Sequence, residues 1–173
     1  MATINFEFKA KAQQVDAMEK KLQTLQPHFI GVDNQRDTYF NVNTGRLKLR
    51  EGNIENSLIY YERSNTAGAK QSDILLYHHS PDAALKEILI KLHGVKVVVH
   101  KKRKIYFIEN VKFHFDVVEG LGSFIEVEAI DTDGSIGIGR LKEQCIFYAT
   151  LFEITEADYV AFSYSDMLLH KQK

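Results

Sequence analysis

The sequence predicts a β-rich α+β fold, with antiparallel strands and helices gathered around them. Three observations carry that prediction. Several segments alternate apolar and polar residues with a period of two, as half-buried strands do. An Asn43-Thr44-Gly45 turn joins two extended segments as a hairpin. Apolar residues at helical spacing fill separate stretches between and after the strands.

The elements follow in order. Ile4 to Lys11 places Ile4, Phe6, Phe8 and Ala10 on one strand face, and Asn5, Glu7, Lys9 and Lys11 on the other. Val15, Met18, Leu22 and Leu25 repeat at helical spacing and stop before Pro27. Thr38 to Val42 and Arg46 to Glu51 form the two arms of the hairpin. In the second arm Leu47 and Leu49 oppose Arg46, Lys48 and Arg50. Ser57 to Arg63 is a strand, Ser64 to Gln71 a polar loop, and Ser72 to His78 strand-like. The helix Pro81 to His93 has Ser80 as N-cap, Pro81 at its first position and Gly94 as its stop. Lys96 to Ile108 and Val111 to Glu119 are strands joined at Glu109-Asn110. Gly120-Leu121-Gly122 leads to the strand Ser123 to Ile130 and the turn Asp131 to Gly134. Ile138, Leu141, Cys145, Tyr148 and Phe152 mark an amphipathic helix. A final short helix is expected after Thr155, with a tail near Ser163 to His170.

A length of 173 residues suits one domain, residues 1–173, with a sizeable core. The 22 basic and 23 acidic side chains leave a net charge of -1, which removes any bulk electrostatic case for nucleic acid or an anionic membrane. Lys101 to Lys104 is a basic run, but strand alternation splits it between two faces. The N-terminus has no apolar stretch of signal-peptide length, and no apolar run is long enough to span a bilayer. One cysteine, Cys145, excludes an internal disulfide and reads as a buried small apolar residue. The cytoplasm is the expected compartment.

The charged strand faces carry the functional signal. Glu126 and Glu128 stand two residues apart on one face, where they repel each other unless a cation lies between them. Glu7, Lys9 and Lys11 share a face; so do Lys48 and Arg50, Lys101 and Arg103, and Lys112, His114 and Asp116. Acids gather in the first and last strands, bases in the middle ones. Half-wet antiparallel sheets commonly show such faces to water. A closed barrel would instead turn them inward, giving an acidic corner for a metal and basic walls for a polyanion. His78 and His79 are adjacent and diverge in a strand, so they read as surface residues. His114 reads equally as a phosphate contact or as filler in a polar lumen.

These residues together resemble the CYTH superfamily, the triphosphate tunnel metalloenzymes, and most closely its bacterial branch related to class IV adenylyl cyclases. The family's opening Glu-x-Glu-x-Lys strand is matched by Asn5-Phe6-Glu7-Phe8-Lys9, with Lys11 following. Asp37-Thr38-Tyr39-Phe40 and Leu47-Lys48-Leu49-Arg50 match its next segment, and Tyr60-Tyr61-Glu62-Arg63 a tyrosine-rich strand ending in arginine. Lys101, Arg103 and Tyr106 fit Lys-x-Arg-x-x-Tyr. Asp116, Gly120 to Gly122, Glu126 and Glu128 fit its last strand pair, and Ser163 to Leu169 its tail. Each motif is weak alone; their order along the whole chain is fairly specific.

The resemblance implies a closed antiparallel β-barrel of about eight strands with helices packed around it and a charged tunnel through it. It implies a triphosphate ligand, a divalent cation (Mg2+ or Mn2+) and a homodimer. The metal candidates are Glu7, Glu126, Glu128 and Asp116, whose hard oxygens suit such ions. The phosphate-binding candidates are Lys9, Lys11, Lys48, Arg50, Arg63, Lys101 and Arg103. The catalytic candidates are Glu7, Lys9, Glu126 and Glu128. The leading expectation is a class IV adenylyl cyclase-like enzyme converting ATP to cyclic AMP and pyrophosphate. A triphosphatase acting on an organic or inorganic triphosphate uses the same residues. Asn5 stands where the family has its first glutamate, and this motivates a third reading, a non-catalytic triphosphate- or polyphosphate-binding module.

Overall fold

The computed structural model describes residues 3–62 and 65–172. The strands are β1 (Thr3–Lys11), β2 (His28–Phe40), β3 (Arg46–Glu51), β4 (Ser57–Glu62), β5 (Lys70–His78), β6 (Val95–Ile108), β7 (Val111–Val118) and β8 (Gly122–Asp131). They close into one antiparallel barrel in the order β1-β5-β4-β3-β2-β6-β7-β8. The helices are α1 (Val15–Gln23), α2 (Ala83–His93), α3 (Ile138–Leu151) and α4 (Tyr164–Lys171). Closure joins the first and last strands, so β1 pairs with β8, setting Glu7 opposite Glu128 and Lys9 opposite Glu126.

The strand alternation is sorted by that closure. The apolar faces point outward and the charged faces inward. Phe6, Phe8, Phe113, Phe115, Ile125 and Val127 are buried on the outer wall beneath Leu22 of α1 and Leu141, Cys145, Tyr148 and Phe152, which α3 and its end supply. The rings of Phe113 and Tyr148 meet edge to face at 4.6 Å between centroids, a favoured aromatic geometry. Cys145 is fully buried, and its thiol donates to the Phe6 carbonyl at 3.1 Å. A smaller apolar cluster of Phe40, Leu49 and Leu89 seats α2 against β2 and β3.

One end of the barrel is stoppered. Tyr39, Val97, Val99, Val118 and Phe124 continue the inward faces of their strands beyond the charged residues. They pack with Val160, Tyr164, Met167 and Leu168. Among the described residues, Val160 and α4 therefore cover that end, and the lumen has the form of a cup.

Three local expectations are revised. The hairpin arm expected from Thr38 is a strand beginning at His28 and ending at Phe40, before Asn41-Val42. Its inward residues Asp33, Gln35 and Asp37 are polar and buried, so it lacks the apolar alternation that signals a strand. α2 starts at Ala83 rather than Pro81, because the Asp82 side chain accepts from the Ala84 amide at 2.7 Å and forms the N-cap in place of Ser80. The final helix does not begin directly after Thr155. The Asp158 carboxylate accepts from the Thr155 amide and hydroxyl at 2.8 and 2.6 Å, closing a turn, and Tyr159 then bridges to Ala10. The last helix starts only at Tyr164, capped by Ser163.

Candidate active site

The lumen holds a cavity of about 700 Å³ lined by inward side chains of all eight strands and by Ser163 and Tyr164 at the stoppered end. It brings together Glu7, Lys9, Lys48, Arg50, Lys101, Arg103, Glu126 and Glu128. Lys11 is not among them. It is exposed at the end of β1, where its amide pairs with the Asp158 carbonyl at 2.9 Å. Arg63 lies outside the described residues. Asp116, expected among the metal ligands, is fully buried away from the cavity surface. Its two oxygens accept from Nε and Nη2 of Arg103 at 2.7 and 2.6 Å, and Tyr164 donates to it at 2.7 Å. That carboxylate is committed to orienting Arg103 instead of facing a cation.

The cavity is divided by charge. On one side lies a cationic wall built on β2, β3 and β6. Asp37 Oδ2 accepts from Lys48 at 3.2 Å, Arg50 at 2.9 Å and Lys101 at 2.6 Å, and Oδ1 accepts from Arg50 Nε at 2.9 Å. Burial opposes its charge, but Arg50, Lys101 and Lys48 outweigh burial and hold its carboxyl well below the ordinary range. One carboxylate cannot neutralise three cations. Glu55 takes Arg50 at 3.1 Å and also pairs with Lys112, leaving the wall with surplus positive charge. Burial pushes the Lys101 ammonium well below its usual value despite the pull of Asp37. A polyanion entering here would meet preoriented donors with charge to spare.

On the other side lies an acidic corner built on β1, β7 and β8. Glu7 accepts from Ser72 at 3.1 Å. Glu126 is held by Arg103 at 3.0 Å and by Lys9 at 3.5 Å, and the Lys9 ammonium also sits 3.9 Å over the Tyr164 ring. Against the cost of burial, Lys9 and a His114 hydrogen bond keep Glu126 well below the ordinary carboxyl range. Glu128 has the opposite fate. Burial first, then repulsion from Glu126 and Glu7, raises it to about 7. His114 stands beside both acids, 3.3 Å from Glu126 and 3.6 Å from Glu128. One ring nitrogen and one oxygen of each acid lie within 4.8 Å of one another. Burial, then Arg103, holds the imidazole down to about 3, so it is neutral near pH 7.

The mouth of the cup is different again. Ile54, Ile59, Ile74, Leu76 and Ile130 line it, with His78 and His79 at its rim. His78 is exposed, but His79 lies just past the end of β5, is half-buried and lines the same cavity, so the expectation of two diverging surface residues holds only for the first. Asp37, Glu55, Lys112 and Tyr164 escaped selection as site residues from sequence. Asp33, Gln35, Asp37 and Tyr39 do carry a period-two pattern, but one without apolar partners to flag it. Glu55 sits in the β3–β4 loop and has no periodic signal. Its position is fixed by Asp33, whose carboxylate accepts from the Ile54 and Glu55 amides at 2.9 and 3.0 Å.

Known structures share this architecture. A Pyrococcus horikoshii OT3 protein, PH1012, superposes with a TM-score of 0.79 at 24% identity, covering 94% of this chain and 98% of its own. A Vibrio parahaemolyticus protein proposed to be an adenylate cyclase gives 0.83 at 19% identity, covering 98% and 99%. HpAC1 from Hippeastrum, proposed to be an adenylyl cyclase and described as having a dominant triphosphatase activity, gives 0.61 at 13% identity, covering 99% and 96%. No curated protein matches the sequence. The CYTH domain profile matches residues 3–155, the whole barrel with α1 to α3, and the chain belongs to the CYTH domain family.

Proposed function

We propose that the chain, acting as one domain of residues 1–173, takes an organic triphosphate into the barrel beside a divalent cation and catalyses a reaction at one of its phosphorus atoms. One observation carries this: a surplus-cationic wall faces a repelling acidic corner across a single blind cavity. A triphosphate complements the wall and a cation complements the corner. The blind end supports entry phosphate-first, and the apolar mouth favours an organic group over bare inorganic triphosphate.

The residues present suit a divalent cation. Glu7, Glu126 and Glu128 offer hard oxygens, and the Asn5 amide oxygen, on the same face of β1 as Glu7, is buried in the cavity wall without a hydrogen-bond partner. When bound, Mg2+ or Mn2+ would supply Lewis-acid neutralisation of phosphate oxygens. Arg50 and Arg103 are held in fixed orientations by Asp37 and Asp116 and would clamp phosphate oxygens; Lys48 and Lys101 would add point charges. Lys9, between Glu126 and the Tyr164 ring, is positioned to neutralise charge growing on a leaving phosphate.

Cyclase-like chemistry is the leading reading. The ribose 3′-oxygen of ATP attacks the α-phosphorus, its proton passes to solvent, and the bond from that phosphorus to the departing pyrophosphate breaks. The second reading is hydrolysis, in which water attacks the terminal phosphorus, the bond from that phosphorus to the bridging oxygen breaks, and the diphosphate leaves with orthophosphate as the other product; the low-identity likeness to HpAC1 gives it weight. The same residues serve both, and the alignment of nucleophile and phosphorus decides between them. A cytoplasmic setting belongs to the same reading, since the buried free thiol of Cys145 suits a reducing compartment.

The test is product analysis. The protein is incubated with ATP, and separately with inorganic triphosphate, plus Mg2+ or Mn2+. Cyclic AMP with pyrophosphate supports the cyclase, and orthophosphate supports hydrolysis. Glu126→Gln should abolish either. Absence of both binding and turnover would defeat the proposal, and binding without products would leave a triphosphate-binding module.

A further inference from the structure

The acidic corner holds one further donor that family resemblance did not supply. His114 lies on β7 directly opposite Glu126 of β8 and is 1% exposed. Its Nδ1 points at two carboxylates at once, Glu126 at 3.3 Å and Glu128 at 3.6 Å. A single ring proton satisfies only one of them. The ring's far nitrogen, Nε2, is buried without a hydrogen-bond partner. Among the described residues the imidazole's polar contacts are the two acids. A second orphan lies in the same cavity wall: the Asn5 oxygen, on the strand that carries Glu7. Arg103 and Lys9 already supply positive charge to Glu126, so an imidazolium is not needed there.

We propose that His114 is itself a metal ligand, and that with Glu126 and Glu128 it makes the site prefer a first-row transition ion, such as Mn2+ or Co2+, over Mg2+. The inference rests on the divalent-cation reading above and specifies which ion that site takes. Mg2+ seeks oxygen ligands and sheds its waters reluctantly. An imidazole nitrogen adds affinity for first-row transition ions and little for Mg2+. Asn5 acts in the same direction. A neutral amide replaces an anionic oxygen, which lowers the electrostatic attraction on which a hard ion depends.

The experiment is metal titration of the full chain after stripping with EDTA, using Mg2+, Mn2+ and Co2+ alone without nucleotide. Calorimetry should give Mn2+ and Co2+ at least about tenfold tighter than Mg2+. In His114→Gln that advantage should shrink by about tenfold or more, the size of loss typical for a perturbed metal site, while Mg2+ binding changes little. A second readout needs no variant. Pulsed electron paramagnetic resonance of the Mn2+-loaded parent chain should show coupling to a ligating nitrogen. Equal losses for Mg2+ and Mn2+ in the variant, or absence of nitrogen coupling, would overturn the assignment of His114 while leaving the cation site standing. No binding of any of these ions to the parent chain would overturn the cation site and this inference with it.

Discussion

Replacing Glu128 by Gln should stabilise the cation-free protein at neutral and alkaline pH. The Glu128 side chain is 17% exposed, and burial together with Glu126 and Glu7 raises its carboxyl from 4.5 to about 7. The folded chain therefore holds this proton more tightly than the unfolded chain. Below the unfolded value the group is protonated in both states and contributes no difference. As pH rises from 4.5 toward 7, the unfolded chain releases the proton while the folded chain keeps it, so stability falls. Above that window the penalty is complete. At 1.36 kcal/mol per unit, the rise corresponds to about 3 kcal/mol.

The glutamine carries no charge, so the variant should lack that slope. The assay is urea denaturation of both proteins in EDTA, followed by circular dichroism, from about pH 4 to about pH 8.5. His114, held down to about 3, contributes stability that rises with pH up to its unfolded value of 6.5. It does so in both proteins, and the difference between them cancels it. The variant and the parent should match near pH 4, and the variant should lead by up to about 3 kcal/mol near pH 8. Adding Mn2+ should then stabilise the parent more than the variant. A variant no more stable than the parent near pH 8 would refute the idea that the corner is a repelling acid cluster.

Two further outcomes follow from the opposite wall. Asp37→Ala leaves Lys48, Arg50 and Lys101 without their shared carboxylate and should cost about 3–5 kcal/mol by urea denaturation, the penalty for unpairing buried charge; added triphosphate should recover part of it, and a loss below about 1 kcal/mol would mean that water already screens the wall. Tyr164→Phe removes one donor to Asp116 and should cost about 1.5–3 kcal/mol, the range for a hydrogen bond to a charged group, with a lowered melting temperature as the readout. An unchanged melting temperature would remove Tyr164 from the support of Arg103.

The legible parts of the fold were those where one strand face is apolar. β1, β3, β7 and β8 each alternate a greasy outer face with a charged inner one, and their bounds emerge close to those expected. The first ten residues of β2 did not emerge, because their buried face is Asp33, Gln35 and Asp37 and nothing in the pattern says that polar residues are inside. The same reversal hid Asp37 and Asp116 as support for the cations: charge alternation reports a shared face but not which charges cancel. Lys11 illustrates the converse. It continues the inward register of Lys9, yet β1 runs past the stoppered end of the cup before reaching it. Register gives the face, and only closure gives the depth.

Closure also explains why the acidic corner exists. In sequence, Glu7 and Glu128 are as far apart as two strands of this barrel can be; in space they are opposite partners across the seam. The outer apolar wall beneath α1 and α3 fixes that seam independently of the charges, since Phe6, Phe8, Ile125 and Val127 pack whether or not the inner face is neutralised. The apolar wall thus provides the stability that the inner faces spend by holding like charges together. Among the described residues neither inner face is neutral by itself: the corner gathers acids and the wall gathers cations beyond what Asp37 and Glu55 can offset. A cation relieves only the corner and a polyanion only the wall. A cation–triphosphate complex relieves both at once, and its two charged parts also neutralise each other across the cavity. The arrangement therefore favours joint occupancy over either component alone, which is the thermodynamic condition for a site that binds a metal–triphosphate complex as its working ligand.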